Sequence, residues 1–545
     1  MSTDFPEFNK TALRIRTLTA TLRRMHNTER PPSSPSEVSS FLRHMATLLT
    51  CGSDTDPPTK QVVAVTGGIE ETGVKTLVVV QNESPGPEAF SLQGHDIAKS
   101  DEPFDEIISG PSSVPLEKHI SDLLGLLPRC KLYSRLTSDT RRWSIRVHEA
   151  LEAWVPDEGD SSLKTLWVKK PRWAGHFYDH STEVIEKRST DKGEEWQFSQ
   201  ATAAIWAQAL AGLLASLERK IKQYRGSCDT DKKHTSWLST NQPKPDFETT
   251  LRSINDVTYS LYTFVYRNSK ILKMLLAQKS LQKVFRTQRK RVRVNSARDG
   301  SSWASDVTAE RDDEEPELAH EMRETEGDCV YRYLQLIVAW HAAIESLLQP
   351  RYRNVLSNIS VGMVEVAGSE PELMQADEFV AEYYARRSFL VFNATKVEVR
   401  EVLEPAIPKK FSGTIHAEAT LMGLLTYFSR QGDASYYAGD ILNINILKES
   451  IEPALVKPAI GVGKKCCWCC YRLATLLPQH YGDENPISLP GTHGILYGWC
   501  PPRVGVEVEV LKRLESKLWV KLDRAIHLRL LRREAAHSRQ SSGIF

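Results

Sequence analysis

Four cysteines crowd into five residues in the C-terminal part of the chain. They are Cys466, Cys467, Cys469 and Cys470, and Trp468 separates the two pairs. Nine cysteines in 545 residues are too few for a disulfide scaffold. The start of the sequence shows no secretory pattern, so we expect a reducing, intracellular compartment, either cytoplasm or nucleus. In that setting the cluster favours metal binding over disulfide bonds.

The cluster contains two pairs of cysteines with the spacing that shares one helical face. Cys466 and Cys469 align with an apolar stripe that looks like core, whereas Cys467 and Cys470 do not. In a first helical turn the helix dipole lowers the pKa of a thiol and favours the thiolate that binds metal. We therefore assign Cys467 and Cys470 as metal ligands and the other two as packing residues.

A second short motif, His416-Ala417-Glu418, precedes the cluster by about fifty residues. Residues two apart point in nearly opposite directions within a helix, but this limit relaxes where the chain only enters the helix. The loop-like residues 412–415 predict such an entry. One histidine and two cysteines provide three zinc ligands and leave the fourth position to water, as in catalytic sites.

The combination of His-x-Glu with Cys-x-x-Cys resembles the zinc nucleobase deaminases of the cytidine deaminase-like superfamily. It looks closest to a fungal-expanded branch of predicted nucleotide or nucleic-acid deaminases. Cys466 stands where that superfamily usually has proline. The segments that carry the resemblance are TIHAEATLMGLL (414–425), AIGVGKKCCWCC (459–470) and GTHGILYGW (491–499).

The resemblance implies hydrolytic deamination of a nucleobase that is part of a nucleoside, a nucleotide or a nucleic acid. It implies Zn²⁺ as the cofactor, with His416, Cys467 and Cys470 as ligands. Glu418 would not bind the metal but would move protons between water, the ring nitrogen and the leaving ammonia.

Three further residues are candidate substrate contacts. His493 lies in a glycine-flanked turn that would border the pocket, although a surface histidine has the same pattern. Trp499 alternates with Tyr497 along a predicted strand and is a candidate for base stacking, although such aromatics are often core. Asn82 would contact a ribose if the hairpin before it belongs to the deaminase sheet.

The same residues also allow a non-catalytic interpretation. His416 or His493 with three cysteines of the cluster would form a closed zinc site, and Glu418 would then be an ordinary helix residue. The protein would in that case be a helical scaffold or interaction protein with a structural zinc. Spacing alone does not separate the two hypotheses.

Composition excludes several protein classes. The chain is 41% hydrophobic, which is enough for a core and excludes general disorder. A net charge of +1 excludes a globally basic nucleic-acid coat. The apolar stretch Ala201–Leu214 is shorter than the roughly 20 residues that cross a bilayer, so we expect no membrane partner. Protein partners are not specified by the sequence.

Hydrophobic periodicity predicts a three-layer α/β/α deaminase-like core at the C-terminal end, with a large, mainly α-helical N-terminal region. Within the C-terminal part, Lys396–Val402 and Asp440–Leu447 are predicted strands. The predicted parts are 1–110, with N-terminal helices and a β-hairpin at 61–81; 111–400, mainly helical with a charged mobile loop near 289–317; and 401–545, the zinc-dependent part.

Overall fold

The structure is a computed structural model of the chain. The residues that it describes are 4–25, 37–50, 63–70, 73–81, 91–96, 129–157, 160, 163–171, 174, 183–191, 193–229, 245–289, 325–347, 349, 360–367, 372–386, 395–411, 413–430, 441–442, 444–463, 465–482 and 486–541, with side chains left undescribed at some of them.

Strands and helices alternate irregularly along the chain. The strands are β1 (Val63–Glu70), β2 (Gly73–Gln81), β3 (Ser91–Asp96), β4 (Leu166–Lys169), β5 (Lys187–Thr190), β6 (Gly193–Phe198), β7 (Ser360–Ala367), β8 (Gly413–Ile415), β9 (Ile441–Leu442), β10 (Gly461–Val462) and β11 (Gly498–Cys500). The helices are α1 (Asp4–Arg24), α2 (Glu37–Leu49), α3 (Arg129–Thr137), α4 (Asp139–Arg142), α5 (Val147–Glu152), α6 (Ala203–Asp229), α7 (Pro245–Tyr262), α8 (Ser269–Leu276), α9 (Lys279–Thr287), α10 (Glu326–Ile337), α11 (Ala339–Leu347), α12 (Ala376–Arg386), α13 (Lys396–Leu403), α14 (Ala417–Ser429), α15 (Ile444–Ile451), α16 (Trp468–Tyr481) and α17 (Val508–Ser541). A π-helical turn, Thr263–Arg267, follows α7.

The central sheet has six strands in the order β10-β1-β2-β7-β3-β9. Strands β1 and β2 form the predicted hairpin, with Val63 opposite Gln81. On its other edge β1 pairs antiparallel with the short strand β10, which precedes the cysteine cluster. The hairpin therefore belongs to the same sheet as the segment that enters the cluster.

Both faces of the hairpin are covered by helices. Because successive side chains of a strand point to opposite faces, Val63 and Val65 pack into the cluster that contains residues of α2. Ala64 lies on the other face, in the larger core that contains residues of α14 and α15. A helix–sheet–helix arrangement results, and it confirms the predicted α/β class with an accompanying helical region.

The two ends of the chain meet beside this core. Helix α1 packs along the 34-residue helix α17 and against β11. The backbone N–H of Trp499 donates to the hydroxyl of Thr19, over 3.1 Å. Two charged residues of α17 are buried in this packing: Glu515 is 2% exposed and Lys521 is 4% exposed. The N-terminal helix thus supports the strand that ends near the cysteine cluster.

The middle of the chain forms a second core of helices, with the small sheet β4-β6-β5 at its side. Its largest fully buried side chains include Trp143, Trp206 and Trp340. The Trp340 indole donates to the carbonyl of Thr47 in α2, over 2.9 Å. Among the described residues, no helix combines the length and the apolar character that a membrane span needs.

Two local predictions were wrong. Residues 396–403 form helix α13 rather than a strand, because Thr395 and Glu398 cap it: the Thr395 hydroxyl accepts from Glu398 N–H, and the Glu398 carboxylate accepts from Thr395 N–H. Only Ile441–Leu442 of the second predicted strand is extended, and α15 begins at Ile444. In both segments the helix begins among β-branched residues, which are also typical of strands.

Some predictions lie outside the described residues. These are Asn82 and nearly all of the charged loop near 289–317. The boundaries at 110 and 400 stay predictions, although the first and last of the three parts share the central sheet and one core.

Candidate metal centre

His416 reaches the site at the junction of a strand and a helix. Strand β8 pairs parallel with β11, and Ile415 lies opposite Cys500. Gly413 allows this pairing, because a Cβ atom there would collide with the carbonyl oxygen of Gly498. His416 is the N-cap of α14 and has extended backbone angles, φ −74° and ψ 137°. The turn between an extended residue and a helix brings Glu418, one residue past the start of α14, next to the imidazole.

The two cysteines of the second motif lie at the start of α16. Cys467 is its N-cap, and its sulfur accepts the backbone N–H of Cys470 over 3.4 Å. The preceding residue is anchored by its neighbours: Cys466 N–H donates to Gly491, and the Thr492 hydroxyl donates to the Cys466 carbonyl. The loop at 491–493 therefore fixes where this helix begins.

The two motifs converge on one point. One possible ligand atom from each of His416, Glu418, Cys467 and Cys470 lies within 4.8 Å of the others. His416 Nδ1 is 3.6 Å from Cys470 Sγ and 3.6 Å from Glu418 Oε1. The equally buried Cys466 and Cys469, each one residue before a member of the pair, are not members of this group.

The pKa values of Cys467 and His416 are shifted by each other's charge. Burial alone would raise the pKa of Cys467, but hydrogen bonds from Cys469 and Cys470 and the charge of His416 hold it well below its ordinary value. Burial would lower the pKa of His416, but the Cys467 charge, with Glu418, raises it to about 10. Burial raises the pKa of the Cys470 thiol well above its ordinary value.

The donors fit a zinc ion. Ligands held tetrahedrally at Zn–N and Zn–S distances of about 2.0–2.3 Å are separated by roughly 3.3–3.8 Å, and the His416–Cys470 separation of 3.6 Å falls in this range. Imidazole and thiolate groups are typical ligands of zinc, whereas magnesium and calcium prefer oxygen ligands. Glu418 is 3% exposed, yet its Oε2 has no hydrogen-bond partner among the described residues. A buried, unpartnered carboxylate oxygen is costly unless something else occupies the site.

The other predicted contacts have different surroundings. His493 Nδ1 accepts the backbone N–H of Ile495 over 3.1 Å, and its ring lies edge-on to Tyr497. Tyr497 is near both histidines, with its ring centre 5.5 Å from that of His493 and 6.2 Å from that of His416. Trp499 is fully buried, so its ring presents no surface on which a base would stack.

Sequence reasoning missed Arg23, at the end of α1. Its guanidinium carbon lies 5.6 Å from the ring centre of Tyr497. Helix α1 is more than 450 residues before Tyr497 along the chain, and no local pattern links it to the motifs. Only the packing of α1 on α17 and β11 brings this cation toward the site.

The family comparison agrees with the geometry. Residues 415–503 match a family model described as an OTT_1508_deam-like deaminase. This segment of the chain is deaminase-like. The match runs from the strand before His416 to just past β11, so it contains all four converging residues, and it confirms the predicted resemblance to the cytidine deaminase-like superfamily. It covers a minor part of the chain. Searches of curated proteins and of solved structures found no significant match.

Proposed function

We propose that this protein is a zinc-dependent hydrolytic deaminase that acts on a nucleobase in a nucleoside, nucleotide or nucleic acid. The observation that carries the proposal is the convergence of one imidazole, two sulfurs and one carboxylate from segments about fifty residues apart. The deaminase-like match over the same segment supports it.

His416, Cys467 and Cys470 would hold the metal, and Glu418 would stay free. When bound, zinc supplies the Lewis acidity that makes water a nucleophile near neutral pH. Three protein ligands leave one position open, whereas a closed structural site needs four. The converging group contains one histidine and two cysteines, rather than the three cysteines of the closed site, and this favours the open arrangement.

Glu418 has the position of a proton shuttle. Its Oε1 lies 3.6 Å from His416 Nδ1, which places the carboxylate beside the metal ligands, and Oε2 is left for water or substrate. Oε2 would accept a proton from the attacking water and give it to the ring nitrogen. A second transfer would give the leaving amine its proton, so that the base gains a carbonyl oxygen and releases ammonia.

Ammonia release from a panel of nucleosides, nucleotides and single-stranded nucleic acids tests the proposal. We expect at least one substrate to be turned over, and Glu418→Gln to lower kcat by about 10²- to 10⁴-fold while zinc stays bound. Glu515→Gln is the matched control, because Glu515 is equally buried but bonds Trp519 and Arg386 instead. Zinc-loaded protein that turns over no substrate, or an equally active Glu418→Gln, would contradict the proposal and favour the scaffold hypothesis.

A further inference from the structure

The sulfur of Cys470 has a hydrogen-bond donor that comes from a distant strand. Trp499, in β11, places its indole Nε1 at 3.3 Å from Cys470 Sγ. The Trp499 side chain is 0% exposed, so no water competes for this N–H. A buried indole N–H normally has a partner, and here the partner is a sulfur of the candidate metal centre.

The position of Trp499 is set by the same strands that deliver His416. Trp499 lies opposite Thr414 in the parallel β8–β11 pair, and Thr414 is two residues before His416. Its backbone N–H is held by the Thr19 hydroxyl of α1. One strand pair thus fixes both the imidazole and the donor to the Cys470 sulfur.

The indole–sulfur contact involves Trp499 and not Trp468, the tryptophan that is adjacent to the cysteines in sequence. Trp468 is adjacent to Cys467 in sequence and 1% exposed, yet its Nε1 has no hydrogen-bond partner among the described residues. The sulfur of Cys467 instead accepts a backbone N–H, that of Cys470. Each of the two sulfurs therefore receives an N–H, one from the backbone and one from an indole.

We propose that Trp499 is a positioning residue of the metal centre, which orients the Cys470 sulfur and tunes its donor strength through the indole N–H. This inference rests on the proposed function, because it takes Cys470 to be a ligand. A donor to a metal-bound thiolate withdraws charge from the sulfur, and outer partners of this kind commonly change metal affinity and orientation. Trp499 touches neither substrate nor metal in this role.

Cobalt-substituted full-length protein tests the proposal, because thiolate-to-cobalt charge transfer reports directly on the sulfur. Trp499→Phe keeps a buried ring and removes the N–H. We expect its charge-transfer band to move to lower energy, because the sulfur keeps more charge. Its cobalt affinity, measured by chelator competition, should fall about 10- to 100-fold, because the sulfur is no longer held in position. Trp519→Phe is the matched control: it lies in the same core and loses a similar N–H, one donated to Glu515.

A second variant keeps the test decisive if Trp499→Phe folds poorly. Replacement of residue 499 by 3-benzothienylalanine keeps the two-ring shape and exchanges only the N–H for sulfur, and it should give the same band shift. If the band and affinity of both variants match the wild type, Trp499 only fills space and the inference is wrong. If the wild-type protein itself shows no thiolate-to-cobalt band, the proposed metal centre fails, and the inference fails with it.

Discussion

His416 and His341 are both mostly buried, but their surroundings differ. His416 has a side-chain exposure of 12% and lies beside two sulfurs and a carboxylate. His341, in α11 of the helical region, is 1% exposed; Glu345 Oε1 lies 3.8 Å from its Nε2, and neither ring nitrogen has a hydrogen-bond partner among the described residues. Its ring packs against Tyr259 and Tyr262, with centroid distances of 5.4 and 5.1 Å.

The pKa shifts of the two histidines go in opposite directions. The pKa of His416 rises to about 10, because the Cys467 charge outweighs burial. The pKa of His341 falls to about 4, because burial dominates and the Arg267 charge adds to it. Burial of a titratable group therefore does not by itself indicate a functional site; the convergence of several titratable groups that shift each other's pKa values is the better indication.

Loss of a ligand sulfur should have the largest effect. Cys467→Ser and Cys470→Ser should each weaken zinc binding by more than about 100-fold, the upper range for loss of an outer partner, because the proposed function makes both sulfurs direct ligands. Cys466→Ser and Cys469→Ser are the matched controls, since both cysteines are equally buried but lie outside the converging group. Competition with a chelator measures the zinc affinity of all four variants. Equal losses in both pairs would mean that the cluster binds metal in another register.

His341 should make the free energy of unfolding sensitive to acid. Its pKa in the folded protein is about 4, below the unfolded value of 6.5, so the unfolded chain takes up the proton first. The stability that neutral His341 provides is complete above pH 6.5 and is lost as the pH falls through about 4. We expect His341→Leu to remove about 3 kcal/mol of the acid-induced loss in unfolding free energy.

Denaturant unfolding of zinc-free protein at pH 7 and at pH 4 measures this difference. The contrast between the two histidines fails if wild type and His341→Leu lose equal stability over this interval. A smaller loss in the variant would instead assign the acid sensitivity to the helical core.

Substitution of two buried carboxylates, Glu326 and Glu418, should change the free energy of unfolding by the smallest amounts. Glu326 in the helical region accepts from the Trp143 indole and from Arg289, over 3.2 and 3.3 Å. Glu326→Gln should therefore lower the free energy of unfolding by about 1–3 kcal/mol. Glu418→Gln should change it by less than about 1 kcal/mol, because Oε2 has no partner to lose. Thermal and denaturant unfolding compare the two; an unfolded Glu418→Gln protein would indicate a structural carboxylate.

The converging residues were predictable because each motif is local. His416 with Glu418, and Cys467 with Cys470, lie at the first turns of helices, where residue type and spacing determine direction. The hairpin was predictable for the same reason, since its β-branched runs flank a glycine-rich turn. Helix α13 was not, because its cap, Thr395 with Glu398, lies among residues that also suit a strand.

Contacts between distant segments could not be predicted from one sequence. The pairing of β1 with β10, the support of Trp499 by Thr19 and the approach of Arg23 to Tyr497 join residues about 400 or more positions apart. Nothing in local spacing encodes them. The role assigned to Trp499 shows the consequence: as a strand aromatic it suggested base stacking, whereas its burial directs its N–H to a sulfur.

Zinc K-edge X-ray absorption on the purified full-length protein tests the central claim most directly, because it distinguishes sulfur ligands from nitrogen or oxygen ligands and counts both kinds. The account predicts one zinc per chain, coordinated by one imidazole nitrogen, two sulfurs and one further oxygen or nitrogen. Three or four sulfurs around the metal, or a chain that binds no zinc, would contradict it.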